Sequence, residues 1–357
     1  MPKNIRYNLV AENPQSTVVA EYKAVYCAAK SYQSEAELER AFIEQLQSQA
    51  YEYLSITSDT DLVHNLRKQL EKLNGFTFSD TEWETFFTGE IANPNQSITE
   101  KTATIQENHI KNLKRDDGTV KNIYLLRKDN IHENNLQVVN QYTTEEGQRA
   151  NRYDVTVLVN GLPLVHIELK RRGVAIQEAF NQINRYQRES FWAGSGLFEY
   201  VQLFIISNGT HTKYYSNTTR SEHIKESLGG SVKKGKRSSN SFEFTSWWAD
   251  ATNRPITDLM DFAKTFFAKH VLLNILTRYC VFTTDKQLLA MRPYQIVATE
   301  RILSKIEVST NYKKLGTVEA GGYVWHTTGS GKTLTSFKTA QLVSRLPYVD
   351  KVLFVVD

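Results

Sequence analysis

From residue 151 the chain alternates between apolar and polar positions. The stretch "NRYDVTVLVNGLPLVHIELK" places Val155, Val157 and Val159 on one face of a strand and Asp154, Thr156 and Leu158 on the other. Beyond Asn160-Gly161 the alternation resumes, with Val165, Ile167 and Leu169 opposed by His166, Glu168 and Lys170. Asn-Gly supplies the positive-φ residues of a tight turn, so the stretch predicts a β-hairpin. The period then becomes helical over 173–190, where Ile176, Phe180 and Ile183 form an apolar stripe. "YVQLFIISNG" (200–209) is apolar almost throughout, as in a strand buried on both faces, and "THTKYYS" continues as a further strand. Hairpin, helix and strand in that order predict a mixed α/β sheet flanked by helices.

Elsewhere the pattern is mostly helical. "SEAELERAFIEQLQSQAYEYL" opens with a capping box, Ser34 and Glu37, and repeats Leu38, Phe42 and Leu46 at helical spacing. Residues 60–75 predict a second amphipathic helix, closed by Gly75 at the position that favours a left-handed cap. Residues 1–33 and 76–150 carry no pattern that selects an element. The glycine- and serine-rich stretch 224–240, with four basic residues between 233 and 237, predicts a solvated surface loop. From about 256 the chain turns helical again. A last unit follows: a helix near 291–306, a strand "GGYVWH", a glycine loop, a helix, and a strand "KVLFVV".

Composition narrows the class. At 357 residues the chain has room for two hydrophobic cores, and 40% hydrophobic content describes a globular protein. The mean hydropathy of −0.45 agrees. No stretch approaches the length of a membrane span, and "MPKNIRYNLV" is not a signal peptide. Cys27 and Cys280 lie far apart and outside any motif, which suits a reducing, cytoplasmic setting. The eight histidines are scattered, with no zinc-site spacing. A net charge of +4 permits an anionic partner without demanding one.

Chemistry concentrates at two places. If Val155, Val157, Val159 and their partners pack on the core, Asp154, Glu168 and Lys170 turn outward together. An odd number of residues in the turn would set Asp154 directly across from Glu168. Two carboxylates that close repel unless a cation lies between them, and oxygen ligands suit Mg²⁺. A lysine beside such an ion can orient a water and stabilise charge on a phosphate oxygen. The expectation is a metal-dependent phosphodiesterase site.

With the helix that follows, these residues resemble the PD-(D/E)xK nuclease core. Asp154, then Glu168-Leu169-Lys170, then Gln182 and Tyr186 match its acidic pair, its lysine and the Q-x-x-x-Y element of its RecB-like branch. Tyr153 stands where the family's name places proline. The resemblance implies that Asp154 and Glu168 hold Mg²⁺ with the Leu169 carbonyl as a third ligand. It also implies that Lys170 assists the attacking water, and that Gln182 and Tyr186 support the site.

The second place is Thr328-Gly329-Ser330-Gly331-Lys332-Thr333, between an apolar stretch and an amphipathic helix. Backbone N–H groups of such a loop and the helix N-terminus cradle phosphates. Lys332 would reach the β- and γ-phosphates, and Thr333 would ligate Mg²⁺. His326 replaces the first glycine of the strict pattern. Upstream, "MRPYQ" with Arg292 and Gln295 resembles the adenine-reading Q-motif of superfamily 2 helicases. ATP is the expected nucleotide.

In that order the two constellations resemble the restriction (R, or HsdR) subunit of type I restriction-modification enzymes. The resemblance implies a nuclease domain over 1–255 with its core at about 150–216. A helical linker (256–287) and the start of a RecA-like motor (288–357) would follow. The sequence ends at the second motor strand, as a fragment of a longer protein would. The implied activity is Mg²⁺-dependent cleavage of double-stranded DNA coupled to ATP-driven translocation, in complex with specificity and methyltransferase subunits and without a membrane. Two alternatives share these features: a RecB-like repair nuclease–helicase, and a non-catalytic DNA-binding or assembly module.

Overall fold

The computed structural model describes residues 33–144, 151–218, 242, 244–250 and 252–355, and the backbone of two strands before them. The basic stretch 233–237 lies outside the described residues. Two paired strands, β1 (Leu9–Asn13) and β2 (Ser16–Ala20), come first. The chain divides into two compact units, one of 25–248 and 256–290, the other of 1–24, 249–255 and 291–357.

In the larger unit, α1 (Glu35–Ser48) starts at the expected capping box, with Ser34 and Glu37 bonded reciprocally. Strand β3 (Glu52–Tyr53) follows, then α2 (Asp59–Asn74), which ends at Gly75 with φ 55°, the left-handed cap. The region without a clear pattern contains α3 (Asp80–Phe86), α4 (Ile98–Gln106) and an antiparallel ribbon of β4 (Ile110–Lys114) and β5 (Val120–Tyr124). It also contains β6 (Leu136–Thr144), a full member of the central sheet.

The expected hairpin is β7 (Asn151–Val159) and β8 (Leu162–Leu169). Its turn requires glycine on two counts. Asn160 and Gly161 have φ 52° and 84°, and a Cβ at Gly161 would lie 2.7 Å from the Leu66 Cα. Asn160 anchors the turn from within, donating to the Leu125 carbonyl at 3.1 Å and accepting from the Asn135 N–H at 2.8 Å. Helix α5 (Ile176–Glu189) then crosses over to β9 (Leu203–Ser207), which lies parallel to β8, and β10 (Thr212–Ser216) closes the sheet. The order is β10-β9-β8-β7-β6-β3, a mixed six-stranded sheet.

Residues 256–287, expected as a linker, pack into this same unit. Helices α6 (Leu259–Phe266) and α7 (Lys269–Thr277) bury Phe262, Phe266, Leu272 and Leu276 completely. The Phe267 ring meets Phe42 of α1 edge-on at 5.3 Å, and the Tyr51 hydroxyl donates to the Phe267 carbonyl at 2.8 Å. A short ribbon, β11 (Cys280–Phe282) with β12 (Leu288–Ala290), ends the unit.

The smaller unit holds α8 (Pro293–Asn311), with Pro293 at its first turn, and α9 (Lys332–Val343). Leu303, Leu342 and Val343 form its apolar contact. The two expected strands do not form among the described residues. Residues 321–326 and 351–355 have no strand pairing, and Tyr323 (92%), Trp325 (87%) and Leu353 (88%) are exposed. A strand is completed by its neighbours' backbone groups, and no described segment supplies them here.

Candidate active site and nucleotide loop

The hairpin register brings the acidic pair together. Val155 faces Ile167 and Thr156 faces His166, so one step further along sets Asp154 across from Glu168. Asp154 Oδ2 accepts a 2.8 Å hydrogen bond from the Leu169 N–H. Lys170 Nζ lies 3.1 Å from Glu168 Oε1 and donates to the Leu169 carbonyl at 3.0 Å. Asp154, Glu168, Lys170 and the Leu169 carbonyl therefore converge as the sequence pattern implied.

Their setting differs from the expected outward face. Glu168 and His166 are 0% exposed, and every residue of β8 is buried. The cause is topological. β8 is interior to the sheet, and the side carrying His166 and Glu168 is roofed by aromatic rings from α5 and the loop after it. The Tyr186 and Phe191 rings stand 6.0 and 5.7 Å from His166, and Tyr153 packs on both at 4.9 and 5.1 Å.

Burial sets the electrostatics. It pushes the Asp154 carboxyl up to about 7, and the negative charge of Glu168 adds to the effect; the Leu169 N–H opposes both. It pushes the Glu168 carboxyl up to about 7 as well, against the pull of Lys170. It pushes the His166 imidazole down to about 4. Glu168 Oε2 and His166 Nε2 have no hydrogen-bond partner, although they lie 3.5 Å apart. A pair of buried carboxylates whose ionisation is this costly is suited to a divalent cation. The donor set of two carboxylates and one carbonyl is all oxygen, which fits a hard ion. Among the described residues no group of three or more acidic, histidine or cysteine side chains is arranged to hold a metal. The ion would therefore rest on Asp154, Glu168, the Leu169 carbonyl and water.

The hydrogen bonds of Gln182 and Tyr186 go elsewhere than the carboxylates, although the charges of Glu168 and Asp154 act on the Tyr186 phenol. The Gln182 amide donates to the Tyr186 hydroxyl, which donates to the Arg152 carbonyl at 2.7 Å. The pair thus ties α5 to β7 two residues before Asp154. Burial raises the Tyr186 phenol well above its usual range, so the hydroxyl stays protonated as a donor.

Sequence reasoning missed two contributors. Glu35, at the start of α1, accepts from the Arg171 N–H at 3.2 Å, and its charge acts on Glu168. No local signal marks it, since 133 residues separate it from Glu168. Thr156, whose hydroxyl meets His166 Nδ1 at 3.1 Å, was legible only as a polar residue sharing a face with Asp154.

In the smaller unit the glycine loop leads directly into α9. Gly329 and Gly331 take φ 76° and 78°, and α9 begins at Lys332. Lys332 and Thr333 are exposed at its N-terminus, and Thr328 is exposed within the loop. Gln295 faces the loop: its Nε2 donates to the Ser330 carbonyl at 3.0 Å and its Oε1 accepts from the Arg292 N–H at 2.9 Å. The Tyr294 hydroxyl donates to the same Ser330 carbonyl at 2.8 Å. Two donors on one oxygen fix the Ser330–Gly331 peptide.

Sheet, crossover helix and cross-strand acids beside a lysine define a PD-(D/E)xK-type core. Comparison with known proteins agrees. Residues 32–223 match the family described as "Type I restriction enzyme R protein N terminus", and residues 288–357 match "Type III restriction enzyme, res subunit". The chain is 47% identical over 307 residues to the "Type I restriction enzyme EcoprrI endonuclease subunit" of Escherichia coli, covering 86% of this chain and 93% of that protein. It is 40% identical over 334 residues to the "Type I restriction enzyme SsaAORF53P endonuclease subunit" of Staphylococcus saprophyticus, covering 91% of this chain but 32% of that protein. A "Putative type I restriction enzyme MjaIXP endonuclease subunit" of Methanocaldococcus jannaschii is 25% identical over 224 residues, 60% of this chain and 20% of that protein. The chain belongs to the family of type I restriction enzyme R proteins, the endonuclease subunits. No described helix is long and apolar enough to cross a membrane.

Proposed function

We propose that this chain supplies the nuclease and the nucleotide-binding loop of a type I restriction endonuclease subunit. In that role it cuts double-stranded DNA in a Mg²⁺-dependent reaction, in step with ATP-driven translocation by the whole protein. The observation that carries the reading is the buried Asp154–Glu168 pair with Lys170 Nζ 3.1 Å from Glu168. An ion held by Asp154 and Glu168 would supply Lewis-acid activation of water and phosphate. The protein's own part is positional. Asp154 is held by the Leu169 N–H, Glu168 presents Oε1, and Lys170 is placed to orient the attacking water and offset charge on a phosphate oxygen. Gln182 and Tyr186 hold the roof helix against β7.

In the same proposal Lys332, Thr333 and the loop amides hold ATP and its Mg²⁺, with Arg292 and Gln295 at the adenine side. The nuclease part is assigned to the larger unit, 25–248 and 256–290, and the start of the motor to 291–357. The expected partners are DNA and the specificity and methyltransferase subunits, in the cytoplasm.

The test uses the full-length protein with those partner subunits on closed circular plasmid, following ATP hydrolysis and strand scission together. Lys170→Ala should abolish scission and leave hydrolysis intact, whereas Lys332→Ala should stop both. Scission that survives Lys170→Ala removes the nuclease assignment. A wild type that cuts only after the plasmid is linearised favours an end-dependent repair nuclease.

A further inference from the structure

Six described residues other than glycine have a positive φ, and five of them lie in turns or loops. The sixth, Gln141 at φ 54°, lies inside strand β6. Left-handed backbone is costly for a side chain of this kind, and such residues gather at functional sites. Asn140 faces Val155 and Tyr142 faces Tyr153, so Gln141 falls across from Asp154. Its side chain is held from α1: the Gln141 and Asn140 amides donate to the two carboxylate oxygens of Glu39, which is itself buried.

The sheet forks at the same place. β6 and β7 stay in register from Leu136 and Val159 to Thr144 and Asn151, whereas the β7–β8 ladder stops at Val155 and Ile167. β8 runs on beside β9, where the Lys170 N–H donates to the Ser207 carbonyl at 2.8 Å. In a continued ladder the Leu169 N–H would meet the Tyr153 carbonyl; here the Asp154 carboxylate takes it. Alternation along β7 breaks there too. Tyr153 and Thr156 are three residues apart, which puts them on opposite faces of a regular strand. Yet the Tyr153 ring lies 5.7 Å from the His166 ring, and the Thr156 hydroxyl meets the same imidazole at 3.1 Å.

We propose that Gln141 is a positioning residue for the nuclease site. Its left-handed backbone, fixed through Glu39, twists the β6–β7 pair, so that β7 parts from β8 at Asp154 and the carboxylate fills the fork between them. The inference rests on the nuclease reading and adds a residue outside the acid–acid–lysine set. Extended backbone at Gln141 would let the ladder close, put the Leu169 N–H on the Tyr153 carbonyl and swing Asp154 out of line with Glu168 and Lys170.

The experiment follows scission of closed circular plasmid and ATP hydrolysis by the full-length protein with its partner subunits, alongside urea unfolding of each variant. Glycine accepts a positive φ freely, asparagine readily, alanine poorly and valine least. The scission rate constant should follow that order, with Gln141→Gly within about threefold of wild type and Gln141→Val down about a hundredfold. The KM for DNA and the rate of ATP hydrolysis should stay at wild-type values, and the order of scission rates should differ from the order of urea midpoints. A folded Gln141→Val protein that cuts at the wild-type rate overturns the proposal, as does a Gln141→Gly protein that loses as much as Gln141→Val. If Gln141→Val does not fold, Gln141→Gly and Gln141→Ala decide the matter: equal scission rates overturn it. Lys170→Ala separates the two levels of argument. Scission that survives Lys170→Ala removes the nuclease site itself. Scission lost in Lys170→Ala but unchanged in Gln141→Val removes only the positioning role.

Discussion

The raised carboxyls make a specific claim about stability. A carboxyl whose folded pKa lies above its unfolded value stabilises the fold fully below the unfolded pKa. That contribution is lost as pH rises through the folded pKa, because the folded state then must ionise a buried acid. For Glu168 the interval runs from 4.5 to about 7, or about 2.5 pH units. At 1.36 kcal/mol per unit this is a ceiling of about 3 kcal/mol at pH 8. Glu168→Gln removes the titration while keeping shape and one donor. The variant should therefore unfold at higher urea than the wild type at pH 8, and the gap should close towards pH 4.5. Added Mg²⁺ should narrow the gap at pH 8, because ligand binding stabilises only the protein that holds the ion. The assay is urea unfolding of the full chain, followed by circular dichroism at half-unit pH intervals with and without Mg²⁺. A Glu168→Gln protein less stable than wild type at pH 8, or a gap independent of pH, would refute the claim that burial governs this acid.

Other substitutions test the surrounding structure. Tyr186→Phe removes the hydroxyl that bridges Gln182 and the Arg152 carbonyl; it should cost about 1–2 kcal/mol in urea unfolding and slow cleavage more than it weakens DNA binding. Gly161→Ala places a Cβ 2.7 Å from the Leu66 backbone at φ 84°, so calorimetric melting of the larger unit should fall by several degrees. Gly331→Ala drives its Cβ into the Gln295 amide at φ 78°, and ATP-analogue affinity by fluorescence titration should drop about tenfold or more with the fold of the larger unit unchanged.

Much of this protein was legible in short stretches of chain. The hairpin follows from two alternating runs and an Asn-Gly turn, the first helix from a capping box four residues long, and the glycine loop before the last helix from six contiguous residues. Each is a local preference of backbone geometry, and neighbours in sequence suffice to express it. The acidic pair was legible for the same reason, since hairpin register follows from the turn.

What the tertiary structure alone decided is whatever depends on distant neighbours. β6, a member of the central sheet, is a strand because β7 pairs with it along its whole length. Residues 321–326 have an equally apolar pattern and are not a strand, since no described segment pairs with them. Glu168 looked like a solvent-facing acid; β9 and the rings brought by α5 seal it, and its proton affinity rises accordingly. The charge of Glu35 reaches the site through folding across more than a hundred residues. Alternation assigns a side chain to a face of the sheet, but only the element packed on that face determines whether it meets water, a ring or another charge.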